Sequence, residues 1–178
     1  MAYIARSLEQ KILKISEDYS CILVVGPRQV GKTTMLEHLM EGTGRQKVTL
    51  DDVENRRLAK SDPSLFLEMH PAPILIDEVQ YAPELFSYIK ILVDNGATPG
   101  SYWLTGSQAF GLMDLAQESL AGRVAIVHMS ALSQSELYGD GTTEILSLSF
   151  EKLNERKKHL CPGSSLQMYE RIWMGGMP

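Results

Sequence analysis

Residues 26–33 constrain this chain more than any other stretch, because they read Gly-Pro-Arg-Gln-Val-Gly-Lys-Thr. This is the pattern G-x-x-x-x-G-K-T, placed between an apolar run at 21–25 and a stretch whose apolar residues have helical spacing. Gly26 and Gly31 permit backbone conformations that other residues disfavour, so successive N–H groups can curl around an anion. The order of strand, loop and helix therefore predicts a phosphate-binding loop of a nucleotide site.

Two polar side chains in this loop predict specific contacts. Lys32 can reach the β- and γ-phosphates as a point charge, and the Thr33 hydroxyl can bind Mg²⁺. The role of Arg28 stays open between added positive potential and simple exposure to solvent. The alternative to the whole assignment is a glycine-rich turn that precedes a helix by coincidence. The predicted nucleotide-binding set is Gly26, Pro27, Arg28, Gln29, Val30, Gly31, Lys32, Thr33 and Thr34.

Strands and helices alternate along the chain. Helical spacing is present before the first strand, over residues 4–18, and short helices are predicted at 134–138 and 165–174. The alternation predicts an α/β fold with a parallel sheet, covered by helices on both faces, whose ligands bind at the carboxyl ends of the strands. The five predicted strands are 21–25, 47–50, 73–78, 101–105 and 123–129.

Two adjacent carboxylates end the third predicted strand. Asp77 is predicted to hold Mg²⁺ directly or through water, and Glu78, one residue further, can reach an attacking water. The alternative is that the pair merely ends a strand and caps the next segment. The complete phosphate loop upstream favours the metal and water roles.

Three hydrogen-bonding side chains end the fourth predicted strand, namely Thr105, Ser107 and Gln108. Such a group can fix the γ-phosphate or the water that attacks it, although ordinary turn chemistry is the competing interpretation. Arg123 opens the fifth strand at its amino end. It could stabilise charge on a neighbouring subunit's nucleotide, but a structural ion pair is favoured because that end of a strand lies away from the phosphates.

Charge and composition exclude several other classes of function. The net charge of −5 leaves the domain without a basic surface for nucleic acid, and no apolar run approaches the length of a membrane span. Two cysteines do not suggest a disulfide framework, so a reducing, cytoplasmic compartment is expected. The acidic pair 51–52 is expected to cap a turn or to pair with arginines, and no zinc site is predicted from the scattered histidines.

Four motifs together resemble one group of AAA-type ATPases. They read GPRQVGKTT at 26–34, ILIDEVQ at 74–80, LTGSQ at 104–108 and SLAGR at 119–123, the first two being Walker A and Walker B motifs. The group comprises bacterial and archaeal proteins that join an ATPase core to a C-terminal domain called DUF4143. The resemblance covers nearly the whole chain. It implies a three-layer α/β/α P-loop NTPase of the AAA (ASCE) type, with a five-stranded, mainly parallel sheet in the order 5-1-4-3-2.

The resemblance implies ATP chemistry but no particular biological task, so the role of hydrolysis is a hypothesis. ATP and Mg²⁺ are the expected ligands, and hydrolysis is expected to switch a C-terminal domain or a partner protein, with self-assembly possible. The expected parts are an N-terminal helix at 1–19, a core at 20–130 and a partial lid or linker at 131–178, with the C-terminal domain outside this chain. The expected catalytic residues are Glu78, Lys32, Thr105, Ser107, Gln108 and Arg123, with Thr33 and Asp77 as metal ligands.

Two other functions stay open at this point. The first is a regulatory module that binds ATP with negligible turnover, which the expected lack of a complete lid favours. The second is a small-molecule kinase, which would share the phosphate loop. The Asp77-Glu78 pair argues against the kinase because two adjacent carboxylates suit the activation of water.

Overall fold

The computed structural model describes residues 3–107, 114, 116, 118–138, 149–151, 154 and 164–175. A five-stranded sheet forms the centre of this part of the chain. Most of its strands are short runs rich in apolar residues, as expected for strands that are covered on both faces. The strands are β1 (Cys21–Gly26), β2 (Gln46–Thr49), β3 (Ile74–Asp77), β4 (Tyr102–Ser107) and β5 (Val124–His128).

The strand order is β2-β3-β4-β1-β5, which reads 5-1-4-3-2 from the opposite edge. All four strand pairs are parallel, whereas the resemblance implied a mainly parallel sheet. The strand that carries Thr105 therefore lies between the strand that leads into the phosphate loop and the strand that ends at Asp77. The fold is an α/β P-loop NTPase fold.

Helices cover both faces of the sheet. The short segment Val79–Tyr81 forms a 3₁₀ turn after β3, and two further helices, Gln134–Tyr138 and Ser165–Met174, follow β5. The helices that precede β1 or connect the strands pack over the sheet and give the layered arrangement that parallel strands require. They are α1 (Glu9–Asp18), α2 (Lys32–Met40), α3 (Val53–Ser61), α4 (Pro63–Met69) and α5 (Leu85–Asp94).

Two apolar clusters lie on the two faces of the sheet. Successive side chains of a strand point to opposite faces, so Leu23 joins one cluster and Ile22 the other. The cluster of Ile22 is closed by α1 and α2, through Ile12 and Met35 among others. The other cluster is closed by α3, α4 and α5, with Phe66 completely buried in it. This packing holds the sheet rigidly beneath its carboxyl edge.

The N-terminal helix is shorter than predicted, because α1 begins at Glu9 instead of covering 4–18 or 1–19. The Glu9 carboxylate accepts a hydrogen bond from the Arg6 N–H, 2.5 Å away, so residues 6–9 form the turn that precedes the helix. The Arg6 side chain meanwhile turns inward and is buried. Helical spacing therefore placed the start of the helix too early.

Helix α3 was not predicted at all, because its pattern is mostly polar. Ala59 is its buried residue, and the helix begins where the Asp52 carboxylate accepts a hydrogen bond from the Asn55 N–H at 2.9 Å. Helix α4, in contrast, begins at residues typical of a helix start, with Asp62 as its N-cap and Pro63 in its first turn. Among the described residues, no helix is long and apolar enough to cross a membrane.

Candidate functional site

The carboxyl ends of three adjacent strands bring the predicted site residues together. Gly26 at the end of β1 is paired with Ser107 at the end of β4, and β3 ends at Asp77 on the other side of β4. Helix α2 begins at Lys32, immediately after the loop that follows β1. The phosphate loop, the β4 hydroxyls and the β3 carboxylates therefore share one edge of the sheet.

The loop between β1 and α2 has the backbone of an anion-binding turn. Gln29 has a φ of 64°, and Gly31 has a φ of 89° as it caps the N-terminus of α2. Such left-handed positions beside right-handed ones let consecutive N–H groups face the same point, where the positive end of a helix also lies. Pro27, Arg28 and Gln29 are exposed, whereas Val30 is completely buried and anchors the loop.

Gly26 is required for a different reason, namely the close approach of the chain after β5. A Cβ at this position would lie 2.1 Å from the carbonyl oxygen of Met129, and the Met129 N–H donates to the carbonyl oxygen of Val25. The entry to the loop therefore leaves no room for a side chain.

We expect Gly26→Ala to lower the free energy of unfolding by about 3 kcal/mol, because the backbone must shift to accommodate the methyl group. Urea unfolding measures the effect. Gly42→Ala is the matched control, since Gly42 has a φ of +73° but a Cβ added there would meet no atom within 4 Å. That control should lose about 1 kcal/mol from backbone strain alone. Equal losses in the two variants would contradict the steric explanation.

The Lys32 side chain is buried at the mouth of the loop. Its Nζ donates to the carbonyl oxygens of Gly26 at 3.0 Å and Pro27 at 2.8 Å. Burial lowers the pKa of Lys32 below its ordinary value, while the charges of Glu78 and Asp77 oppose that change. The two carboxylates therefore help to keep the ammonium group charged where phosphates would be bound.

Asp77 joins two strands and the loop through one oxygen. Its Oδ1 accepts hydrogen bonds from Thr33 Oγ1 at 2.6 Å and from Thr105 Oγ1 at 2.5 Å. Asp77 and Thr105 are both buried, so these contacts are shielded from water. A carboxylate and a hydroxyl in contact at the start of α2 are hard oxygen donors of the kind that Mg²⁺ prefers, so the residues fit this ion.

Glu78 adopts a left-handed conformation, with φ 59° and ψ 46°, at the start of the 3₁₀ turn. Its N–H donates to Thr105 Oγ1 at 3.0 Å, and its carboxylate accepts a hydrogen bond from Gln80 Nε2. The amide oxygen of Gln80 in turn accepts from the Ser107 N–H at 3.2 Å. Glu78 is therefore held by β4 on one side and by the 3₁₀ turn on the other.

Two predicted site residues are not part of this cluster, and a third cannot be placed. Arg123 precedes β5 at the amino edge of the sheet, where its guanidinium forms an ion pair with Asp94 and donates to the Ala121 carbonyl oxygen at 2.9 Å. Thr34 lies on α2 with its side chain exposed. Gln108 lies outside the described residues.

The acidic pair 51–52 follows β2, three strands from β1, and takes no part in the site. Asp52 caps α3, as the sequence favoured. Arg56 binds the backbone carbonyl oxygens of Leu50 and Asp51, at 2.7 and 3.1 Å. The expected partners of an arginine were the carboxylates of the pair 51–52. Among the described residues, no three His, Cys, Asp or Glu side chains form a further metal-binding group.

Sequence reasoning missed three residues that contact the site. Gln80 belongs to the ILIDEVQ motif, but its contact with Glu78 depends on the left-handed conformation of Glu78 itself. Tyr81 accepts a hydrogen bond from Arg28 at 3.3 Å, so Arg28 is tied to the 3₁₀ turn. Arg6 donates to the Val30 carbonyl oxygen at 2.7 Å from a segment 24 residues earlier, and no local pattern indicates that contact.

Comparison with known proteins adds a family model and several relatives. A model described as an AAA domain, AAA_14, matches residues 18–138. The uncharacterized proteins Rv2008c of Mycobacterium tuberculosis and Mb2031c of Mycobacterium bovis are each 41% identical over 115 residues. Those residues are 63% of this chain and 25% of each relative, so the chain matches about a quarter of their length.

A solved structure shows the same fold at low identity. The Walker-type ATPase PABY2304 of Pyrococcus abyssi superposes with a TM-score of 0.54 and 16% identity. The match covers 90% of this chain and 60% of that protein. At this identity the similarity concerns the fold.

Proposed function

Because this chain belongs to the AAA_14 family of AAA domains, with the fold of an AAA-type ATPase core, we propose that it binds ATP with Mg²⁺ and hydrolyses it to ADP and phosphate. The observation that carries the proposal is the shared oxygen of Asp77. It contacts Thr33 of the phosphate loop and Thr105 of the adjacent strand within 2.6 Å. Loop, carboxylate and hydroxyl thus form one connected group at the edge where P-loop proteins bind nucleotides.

The phosphates are bound by the loop and by the ammonium group of Lys32. The N–H groups of residues 28–33 and the N-terminus of α2 supply positive potential, and Lys32 supplies a full charge. Arg28 adds potential at the outer side of the loop, where Tyr81 holds it. Positioning and charge stabilisation are the principal sources of rate in phosphoryl transfer, so this set is the basis of both affinity and catalysis.

Thr33 and Asp77 would hold Mg²⁺, the first through its hydroxyl and the second directly or through water. When bound, the ion supplies charge that neutralises oxygens of the β- and γ-phosphates. Asp77 is already oriented for this role, because the Thr105 hydroxyl fixes its Oδ1. Thr105 therefore supports the metal side of the site in this proposal.

Glu78 positions and deprotonates the attacking water. Its carboxylate contacts Gln80, whereas Asp77 contacts the hydroxyls of Thr33 and Thr105, so the two acids can serve different atoms. Glu78 must release its hydrogen bond from Gln80 before its carboxylate can accept one from the water. The amide oxygen of Gln80 also accepts a hydrogen bond from the N–H of Ser107. Ser107 and Gln108 remain the proposed residues that sense the γ-phosphate.

Hydrolysis would switch a domain that follows this core, of the DUF4143 class, or a partner protein in the cytoplasm. The match covers only 25% of each mycobacterial relative, and the rest of those proteins leaves room for such a domain. A regulatory module with negligible turnover is the second candidate, and the Glu78–Gln80 contact favours it because that contact occupies the catalytic carboxylate.

We expect this 178-residue chain to hydrolyse ATP slowly, with a rate per chain that rises with chain concentration. An arginine supplied to the γ-phosphate is worth about 10³–10⁵ in rate, and assembly would let a neighbour supply Arg123. Phosphate release measured across a concentration series, with and without a longer C-terminal segment, tests this expectation.

Two variants distinguish the effect of an arginine supplied by a neighbour from the effect of losing the Arg123–Asp94 ion pair. Arg123→Ala should abolish the concentration-dependent rate, whereas Asp94→Ala, which breaks the same ion pair but keeps the arginine, should preserve it. Full activity at every concentration would contradict the need for a neighbour. Phosphate transferred to an added small molecule, with none released, would indicate a kinase.

A further inference from the structure

Arg6 connects its own segment to three other parts of the chain. It lies before α1, is 7% exposed, and uses its guanidinium to bind three acceptors. Nη1 donates to the Val30 carbonyl oxygen at 2.7 Å, Nη2 to the Ser130 carbonyl oxygen at 2.7 Å, and Nε to Glu136 Oε1 at 3.2 Å. The phosphate loop, the segment after β5 and the helix Gln134–Tyr138 therefore share one side chain.

Glu136 holds Arg6 in this position. Its side chain is 8% exposed and accepts hydrogen bonds from both the N–H and the hydroxyl of Ser7 and of Ser133, at 2.7–3.0 Å. Burial tends to raise the pKa of Glu136, but the hydrogen bonds from Ser133, Ser7 and Arg6 outweigh it and lower the pKa to about 2. The carboxylate is thus ionised at neutral pH, and Arg6 has a fully charged partner.

The contact with Val30 acts on the backbone that would bind phosphate. A peptide group is planar and trans, so its C=O and the following N–H point in opposite directions. Because Arg6 fixes the Val30 carbonyl, it also fixes the direction of the Gly31 N–H. Gly31 has the left-handed conformation that caps α2, and its N–H is one of the donors of the loop.

We propose that Arg6 is a positioning residue for the phosphate loop, and that it couples nucleotide binding to the helix Gln134–Tyr138 through Glu136. The inference rests on the proposed function, because it concerns the same nucleotide site. The guanidinium of Arg6 reaches its two carbonyl oxygens and the carboxylate from three different nitrogen atoms held in one plane, whereas the donors of a lysine share a single nitrogen, so lysine is not an equivalent replacement here. A change in the loop upon nucleotide binding is transmitted directly to a helix that lies after the sheet.

Nucleotide affinity distinguishes this role from simple stabilisation of the fold. Titration calorimetry of Arg6→Lys should show binding of Mg-ATP and of Mg-ADP weakened by about tenfold, the scale of one hydrogen bond to a charged group. Both nucleotides should lose the same factor, because the loop amides contact phosphates that ATP and ADP share. Glu136→Gln keeps the size of the side chain that holds Arg6 but removes its charge. We expect it to weaken the binding of both nucleotides by about threefold.

Arg45→Lys is the matched control. Arg45 is half-buried and, like Arg6, binds backbone carbonyl oxygens, those of Gly100 at 2.7 Å and Ile74 at 3.3 Å, but at the amino edge of the sheet. Urea unfolding should show lower stability for both lysine variants, whereas affinity should fall only for Arg6→Lys.

Three outcomes would overturn the inference. A folded Arg6→Lys chain with wild-type affinity for both nucleotides would refute it while the proposed function stood. If Arg6→Lys does not fold, unchanged nucleotide affinity in Glu136→Gln would likewise refute the inference and leave the proposed function standing. A folded wild-type chain that binds neither nucleotide would refute the proposed function and this inference together.

Discussion

Glu78→Gln is expected to lower the rate of ATP hydrolysis at saturating Mg-ATP by about 10²-fold or more, while the affinity for Mg-ATP changes little. The amide keeps the size of the side chain but cannot accept a proton from water, and general base catalysis is worth about 10²–10⁴ in rate. Phosphate release under single-turnover conditions measures the chemical step, and titration calorimetry measures the affinity. Glu84→Gln is a suitable control, because Glu84 is exposed and its side chain does not cap α5.

Asp77→Asn should behave differently from Glu78→Gln. Loss of the Asp77 charge should weaken the dependence of binding on Mg²⁺, because its oxygen contacts the Thr33 hydroxyl at 2.6 Å. Two variants with the same profile of binding and turnover would contradict the division of labour between the carboxylates.

Lys32→Ala is expected to weaken Mg-ATP binding by about 10²-fold, which corresponds to about 3 kcal/mol for a lost charge-assisted hydrogen bond. The effect is large because Lys32 is buried at the mouth of the loop, where charge is poorly screened by solvent. Titration calorimetry measures it. Unfolding must be measured in parallel, since the variant also loses hydrogen bonds to Gly26 and Pro27.

Lys47→Ala provides the matched control for the loss of a lysine. Lys47 is on β2 and forms an ion pair with Glu37 in a partly exposed position. Its removal should leave Mg-ATP affinity unchanged. Equal affinity in wild-type and Lys32→Ala chains, both folded, would refute the assignment of the phosphate site.

Much of the sheet could be predicted because the strands that carry the site have unambiguous patterns. Strand β1 is buried on both faces and is therefore apolar at nearly every position, as is most of β3. Parallel strands place their carboxyl ends at one edge, so the adjacency of Asp77, Thr105 and the loop followed from the fold once the order of strands was known. These residues required no information beyond motif and topology.

The remainder depends on contacts that are distant in sequence. Arg6 and Glu136 are 130 residues apart, and neither belongs to a motif. The position of Glu78 depends on one left-handed residue, which a sequence pattern seldom indicates for glutamate. Helix α3 escaped prediction because its exposed, polar surface lacks an apolar stripe.

Direct titration of the folded wild-type chain with ATP, in the presence and absence of Mg²⁺, tests the central claim that this edge of the sheet is a Mg-ATP site. We expect saturable binding of one nucleotide per chain, clearly tighter with Mg²⁺ than without it, because Thr33 and Asp77 supply the oxygens for the ion. Absence of binding by a folded chain, or binding indifferent to Mg²⁺, would contradict the claim.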